Sequence, residues 1–218
     1  MKKFGIYPSI IGLCRFFFNF VPYIMSNSST PLINFLRLFR LIPPRDAEII
    51  TAATELRQFH QGDELLREGK VCREIFFICK GVLRIVNQNE KGDGITHFFL
   101  KENQFCSIQD SFNNGTPAKE SILASCDAEV ITLERNKLKA LYTQLPYLEN
   151  LIDNILQQAL LERIAIVSVC LKKDATTRYR NFLSNQPDVA LRVPLSDVAS
   201  YLGITQQSLS RIRKNIRS

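Results

Sequence analysis

PLSDVASYLGITQQSLSRIRKNIRS, residues 194–218, is the stretch whose reading decides the rest of the chain. It predicts two short helices joined at Gly203, the geometry of a helix-turn-helix that lays its second helix in the DNA major groove. Ala199 is small where two helices must cross closely, and Gly203 supplies the left-handed turn that other residues adopt at a cost. Val198, Leu202, Ile204, Leu209 and Ile212 are apolar at spacings that close a small core between the helices. Thr205 is placed to cap the second helix by accepting a backbone N–H.

The second helix separates its faces. At about 100° per residue from Gln206, Leu209, Ile212 and Ile216 fall between about 240° and 300°, whereas Gln206, Gln207, Ser210, Arg211, Lys214 and Arg217 fall between about 0° and 140°. One side is core and the other carries long hydrogen-bonding side chains. Arginine suits guanine O6/N7, glutamine suits adenine N6/N7, and serine reaches bases or phosphates.

Charge placement agrees. The 218-residue chain carries 28 Lys+Arg against 21 Asp+Glu, a formal +7. From Arg163 onward there are ten basic residues and three acids (Asp174, Asp188, Asp197), and the part before it is balanced at eighteen of each. The whole excess lies beside the helix pair, which points to double-stranded DNA and to binding that weakens with salt. A membrane surface suits this arrangement less well, because the cations sit beside a specific two-helix pattern. With 45% apolar and 22% charged residues the composition is that of a globular protein, and no run of 18 uncharged apolar residues marks a transmembrane helix. The Phe-rich start has three competing readings: an upstream extension with Met25 as the natural start, an amphipathic membrane-contacting helix, or a targeting signal. Arg15 and Asn19 interrupt its apolar run and no small-x-small cleavage site follows, which favours the first.

The six cysteines (Cys14, Cys72, Cys79, Cys106, Cys126, Cys170) form no C-x-x-C pair, and His60 and His97 fall in no motif. No metal and no cofactor is expected from this pattern. Scattered cysteines read as the reduced, buried thiols of a cytoplasmic protein. Between about Leu56 and Leu133, glycines punctuate short apolar runs. Strands are expected at 74–79, 82–87, 94–100 and 128–133, arranged as a double-sheet roll or barrel. From 146 to 172 the pattern becomes one long helix. Leu148, Ile152, Ile155, Ala159, Glu162, Ile166 and Val169 recur at spacings of four and three, flanked by Leu156, Leu160, Arg163 and Val167, which reads as a two-chain coiled-coil seam. A homodimer suits a palindromic operator.

A roll, a long helix and a terminal helix-turn-helix, in that order, resemble the Crp/Fnr superfamily of bacterial transcription regulators. The matching residues are Gln61-Gly-Asp-Glu-Leu-Leu-Arg-Glu-Gly69, Glu74-Ile-Phe-Phe-Ile-Cys-Lys-Gly81-Val-Leu-Arg84, Phe105, Ser111-Phe112, and Ala199-Ser-Tyr-Leu-Gly203 through Ser208-Leu-Ser-Arg-Ile-Arg213. The resemblance implies an α+β protein in four parts. These are an N-terminal extension (1–31), an antiparallel β-roll of jelly-roll, cyclic-nucleotide-binding-like form (32–145), a dimerisation helix (146–172) and a winged-helix-like DNA-binding part (173–218). It assigns Gln206, Gln207, Ser210 and Arg211 to bases and Thr205 and Ser208 to phosphate, with RNA polymerase as a partner if the protein is an activator.

The departures bear on mechanism. Cyclic-nucleotide members carry Phe-x-Gly-Glu-Leu followed by Arg-Ser or Arg-Thr. Aligned on Phe105, Phe112 and Gly115, this chain has Ser107 and Ile108 in place of Gly-Glu, and Ala118 and Lys119 in place of Arg-Ser. These four positions are the candidate effector pocket. Isoleucine accepts no ribose bond and the guanidinium fork is gone, so cyclic AMP is not expected and the effector is unidentified; Lys119 could still meet an anion as a point charge. The hairpin wing of many members is missing or displaced, which transfers phosphate contacts to Lys172, Lys173, Arg178 and Arg180. The leading reading is a dimeric sequence-specific transcription regulator. The alternative is a small-molecule sensor using the altered cassette. No nucleophile–base pair or metal set supports an enzyme.

Overall fold

The computed structural model describes residues 30–88, 94–170 and 173–217, with backbone alone at 162–170 and 217. Helices α1 (Thr30–Arg37) and α2 (Pro44–Ala53) precede strands β1 (Glu55–Phe59), β2 (Glu64–Leu66), β3 (Glu74–Lys80), β4 (Leu83–Gln88), β5 (Gly94–Leu100) and β6 (Phe105–Cys106). Helix α3 (Gln109–Asn114), strands β7 (Ser121–Ala124) and β8 (Ala128–Glu134), and helix α4 (Arg135–Gln144) complete the roll. Then come α5 (Tyr147–Cys170), α6 (Ala175–Asn185), α7 (Pro187–Arg192), α8 (Leu195–Tyr201) and α9 (Gln206–Arg217). The four strands expected from short apolar or alternating runs between glycines are all present within a residue or two of their expected ends.

Two four-stranded antiparallel sheets face each other, ordered β1-β8-β3-β6 and β2-β7-β4-β5. Long pairings fix their register, with Phe77 opposite Ile131 and Leu83 opposite both Leu100 and Ala124. Strand β3 buries Ile75, Phe76, Phe77 and Ile78 in succession because both of its faces are covered. Ile75, Phe77, Ile131 and Leu133 lie under Leu32 and Leu36 of α1, Ile50 of α2 and Leu148 and Ile152 of α5, around a void of only about 10 Å³. Phe35, Phe77 and Phe105 stack there with ring centroids 5.1–6.0 Å apart.

This packing corrects the expected dimer seam. Leu148, Ile152 and Ile155 belong to the chain's own core and are at most 8% exposed. The outer face of the first sheet is apolar and needs a cover, and the start of α5 is the nearest apolar helix. Beyond it, Ala159 and Leu156 are half-buried, and Leu160 and Leu161 are exposed at 46% and 66%. The side chains of Glu162, Arg163, Ile166, Val167 and Val169 lie outside the described residues, as do Met25 and Lys172.

The C-terminal helices close a second core of Tyr179, Phe182, Val189, Val193, Val198, Ala199, Leu202 and Leu209. Asp174 caps α6, accepting from the Thr177 N–H at 3.0 Å. Of the five glycines at positive φ among the described residues, Gly81 stands at +97° and Gly203 at +64°. A Cβ on Gly81 would sit 2.4 Å from the Asp127 carbonyl oxygen, whereas one on Gly203 would meet nothing within 4 Å. Gly203→Ala is therefore expected to cost about 1 kcal/mol of backbone strain. Gly81→Ala adds a clash with backbone that cannot move aside and should cost about 3 kcal/mol or more. Urea unfolding of both variants measures the difference, and equal costs would contradict the packing at the β3–β4 turn.

Candidate nucleic-acid interface and its support on the roll

Helices α8 and α9 are joined by a turn in which the Ile204 N–H donates to the Ala199 carbonyl at 3.0 Å and the Gly203 N–H to Ser200 at 3.0 Å. Thr205 caps α9 as expected: its hydroxyl accepts from the Ser208 N–H at 3.2 Å and lies 3.0 Å from the Ser208 hydroxyl. The two hydroxyls expected on phosphate are thus engaged first with each other. Leu209 is fully buried, with Val198, Ala199 and Leu202 beneath it at 1–4% exposure. On the opposite face Gln206, Gln207, Ser208, Ser210, Arg211 and Lys214 are all exposed. The structure brings the expected base-reading residues onto one accessible surface.

The supporting cations divide. Lys173 and Arg180 are exposed; Arg178 is half-buried and donates to the Lys173 carbonyl at 3.2 Å. Arg192, counted from sequence among the surplus charges, is held by Glu102 of the roll through two bonds of 2.5 and 3.0 Å. Burial raises the Glu102 carboxyl, but the Arg192 fork and backbone N–H donors, including that of Gly81, outweigh it and hold it below its ordinary value of 4.5. The same fork raises Arg192. Lys101 Nζ reaches Asp188 at 2.8 Å and lowers that carboxyl below its ordinary 3.8.

Further contacts join the same two parts of the chain. Arg84 of β4 meets Asp197 of α8 at 3.0 Å and donates to the Thr96 hydroxyl at 3.1 Å. The Thr96 N–H donates to the Ser200 hydroxyl (2.9 Å), which donates in turn to the Gly94 carbonyl (2.9 Å). Phe99, Phe182 and Tyr201 cluster with centroids 5.4–5.9 Å apart, and Val82 joins them in the second core. Sequence reading missed Arg84, Thr96, Phe99 and Glu102. The available signal was an arginine between Leu83 and Ile85 in the otherwise apolar first part of β4.

At the candidate effector pocket, Ile108 and Ala118 are 7% and 3% exposed and belong to the roll's core. The Ala118 N–H donates to the Lys70 carbonyl and its own carbonyl accepts from Gly69, both at 2.8 Å, which ties two loops together across this corner. Ser107 is half-buried, its hydroxyl 3.5 Å from the Cys72 sulfur, and Lys119 is exposed. Ile108 and Ala118 thus present neither a carboxylate nor a guanidinium at this corner, and their side chains are packed into the core. A cleft of about 370 Å³ opens beside this corner, among Leu65, Val71, Cys72, Arg73, Glu74 and Glu134.

Among the described cysteines Cys72 and Cys106 are buried, and burial pushes the Cys79 thiol up to about 11. His97 Nδ1 lies 2.9 Å from Glu120. Among the described residues no group of three or more His, Cys, Asp or Glu is placed to hold a metal, and no helix is long and apolar enough to cross a membrane.

Comparison with known proteins places this architecture. Residues 56–144 match the cyclic nucleotide-binding domain family. No curated protein matches the chain by sequence. Among solved structures, the c-di-GMP responsive global regulator CLP of Xanthomonas campestris is 15% identical and superposes with a TM-score of 0.64, over 80% of this chain and 92% of its own. FixK2 of Bradyrhizobium japonicum is 16% identical at a TM-score of 0.65, over 75% and 84%. A transcriptional regulator from Eubacterium rectale assigned to the Crp/Fnr family is 15% identical at 0.66, over 84% and 88%. The resemblance read from the sequence holds: a cyclic-nucleotide-binding-like roll within the overall fold of Crp/Fnr regulators.

Because Glu102 and Asp188 are both held below their ordinary values, the stability they contribute is full above those values and fades as pH falls through the lowered ones. Glu102→Gln should cost about 1 kcal/mol at pH 7, allowing for the solvent exposure of the pair, and progressively less below pH 4.5. Thermal unfolding of parent and variant across that range measures it, and a cost that grows in acid would contradict the assignment.

Proposed function

We propose that the protein is a sequence-specific DNA-binding transcription regulator that acts as a homodimer, with α8 and α9 as its helix-turn-helix. The observation that carries this reading is the exposed row Gln206, Gln207, Ser210 and Arg211 on a capped helix whose other face buries Leu209 and half-buries Ile212 and Ile216. Such a helix offers an arginine fork that donates to guanine O6 and N7, and glutamine amides that donate to adenine N7 and accept from its N6, without reorganising the domain. Lys214 extends the row, Thr205 and Ser208 border it at the helix start, and Lys173 and Arg180 supply exposed charge for phosphates. The fold shared with Crp/Fnr regulators supports the same reading. RNA polymerase is a partner if the protein activates transcription.

The roll is then a sensor or a structural support. Ser107, Ile108, Ala118 and Lys119 give no site for cyclic AMP, and the effector belongs to another chemical class or is absent. A small-molecule sensor working through that altered corner is the weaker alternative, since two of its four residues are in the core.

DNA selected from a random library by the purified protein supplies the sites for the test. Arg211→Ala should remove a base contact and cost about 1–3 kcal/mol per half-site on selected DNA, with little change on random DNA. Lys173→Ala should weaken both together and flatten the salt dependence by about one ion. Equal losses on both sequences for Arg211→Ala would remove it from base reading.

For the dimer, Leu160 and Leu161 are the exposed large apolar residues of α5 among the described side chains. Sedimentation of the parent at micromolar concentration should give a dimer, and Leu160→Asp with Leu161→Asp should give a folded monomer, because the seam would bury unpaired charge. A monomeric parent would overturn the dimer.

A further inference from the structure

We infer that the outer face of the β4–β5 ribbon seats the C-terminal helix pair, and that the roll sets the position of α9 through it, with Arg84 and Asp197 as positioning residues. The inference deepens the DNA-binding reading and rests on it. Asp197, Ser200 and Tyr201 stand at i, i+3 and i+4 and so share one face of α8. All three meet the roll, at Arg84, at the backbone of Gly94 and Thr96, and at Phe99. Val198, Ala199 and Leu202 are buried in the second core with Leu209 of α9. Helix α8 is therefore clamped between strand β5 and the helix that carries the base-reading row, so a displacement of β5 moves that row.

The contact is specific in chemistry as well as shape. Asp197 is a carboxylate in a nearly closed site, and its side chain is 10% exposed beside an Arg84 that is 20% exposed. Arg84 Nε has no hydrogen-bond partner among the described residues, so the carboxylate is the main compensation for burying the guanidinium. Charge complementarity repeats at Glu102 with Arg192 and at Lys101 with Asp188.

The seated arrangement is the DNA-binding one. It leaves Gln206, Gln207, Ser210 and Arg211 exposed. It also pairs Asp188 and Asp197, the only acids after Asp174, with cations of the roll. Helices α7 to α9, if released together, would carry both carboxylates unpaired toward a polyanion.

The test uses the full chain with Arg84→Asp, which reverses the charge facing Asp197 and leaves every residue of the C-terminal part unchanged. Hydrogen exchange should accelerate in 94–100 and 195–201 while 74–80 and 128–134 stay protected, showing an intact roll. The ratio of selected-DNA to random-DNA affinity should fall at least about tenfold. The double variant Arg84→Asp with Asp197→Arg should recover both the protection and the ratio. Unchanged exchange at 195–201 in Arg84→Asp would overturn the seat. Faster exchange with an unchanged affinity ratio would overturn the positioning role. A parent that selects no DNA would defeat the DNA-binding reading and the positioning role with it, and exchange alone would still decide the seat.

Discussion

A sheet that is apolar on both faces must be covered on both, and this constraint organises the whole chain. In the β4–β5 ribbon Leu83, Ile85 and Leu100 point into the roll, whereas Val82 and Phe99 belong to the core of the C-terminal helices. The first sheet repeats the arrangement, with α1, α2 and α5 over Ile75, Phe77, Ile131 and Leu133. Each sheet thus recruits helices from outside the roll, one set from before and after it in sequence, the other from the chain's end. The long helix loses the first part of its apolar stripe to this demand.

Strand β5 is also an edge. Edge strands carry unpaired N–H and C=O groups that invite pairing with other chains. Here one serine side chain serves two of them, accepting from Thr96 and donating to Gly94. Covering apolar surface and satisfying edge polarity coincide at α8, so the placement of that helix is determined twice.

How much of this was legible in the sequence depended on range. Strands β3, β4, β5 and β8 announced themselves as short apolar or alternating runs between glycines, and the α8–α9 pair by eight positions within one short stretch. Strand β2, three residues long, and β6, two residues long, carry too few positions for any period to show. The periodicity of α5 was read correctly as a helix and wrongly as one continuous seam. A stripe of Leu148, Ile152 and Ile155 looks the same whether it meets another copy or its own sheet. Arg192 was counted toward the DNA-facing excess because charge arithmetic has no knowledge of Glu102, ninety residues earlier. The row at Gln206, Gln207, Ser210 and Arg211 was legible because facing directions within one helix follow from spacing alone. Its support at Arg84 and Asp197 was not, because it depends on which strand lies across the domain boundary.

The three faces of the α8–α9 pair share no residues. Asp197, Ser200 and Tyr201 meet the roll, Val198, Ala199, Leu202 and Leu209 fill the interior, and Gln206, Gln207, Ser210 and Arg211 stand in solvent. Mutational drift on the solvent face therefore alters neither folding nor seating. Under the proposed DNA-binding role, duplicated copies are free to diverge in the sequences they read, one side chain at a time, while the other two faces stay unchanged.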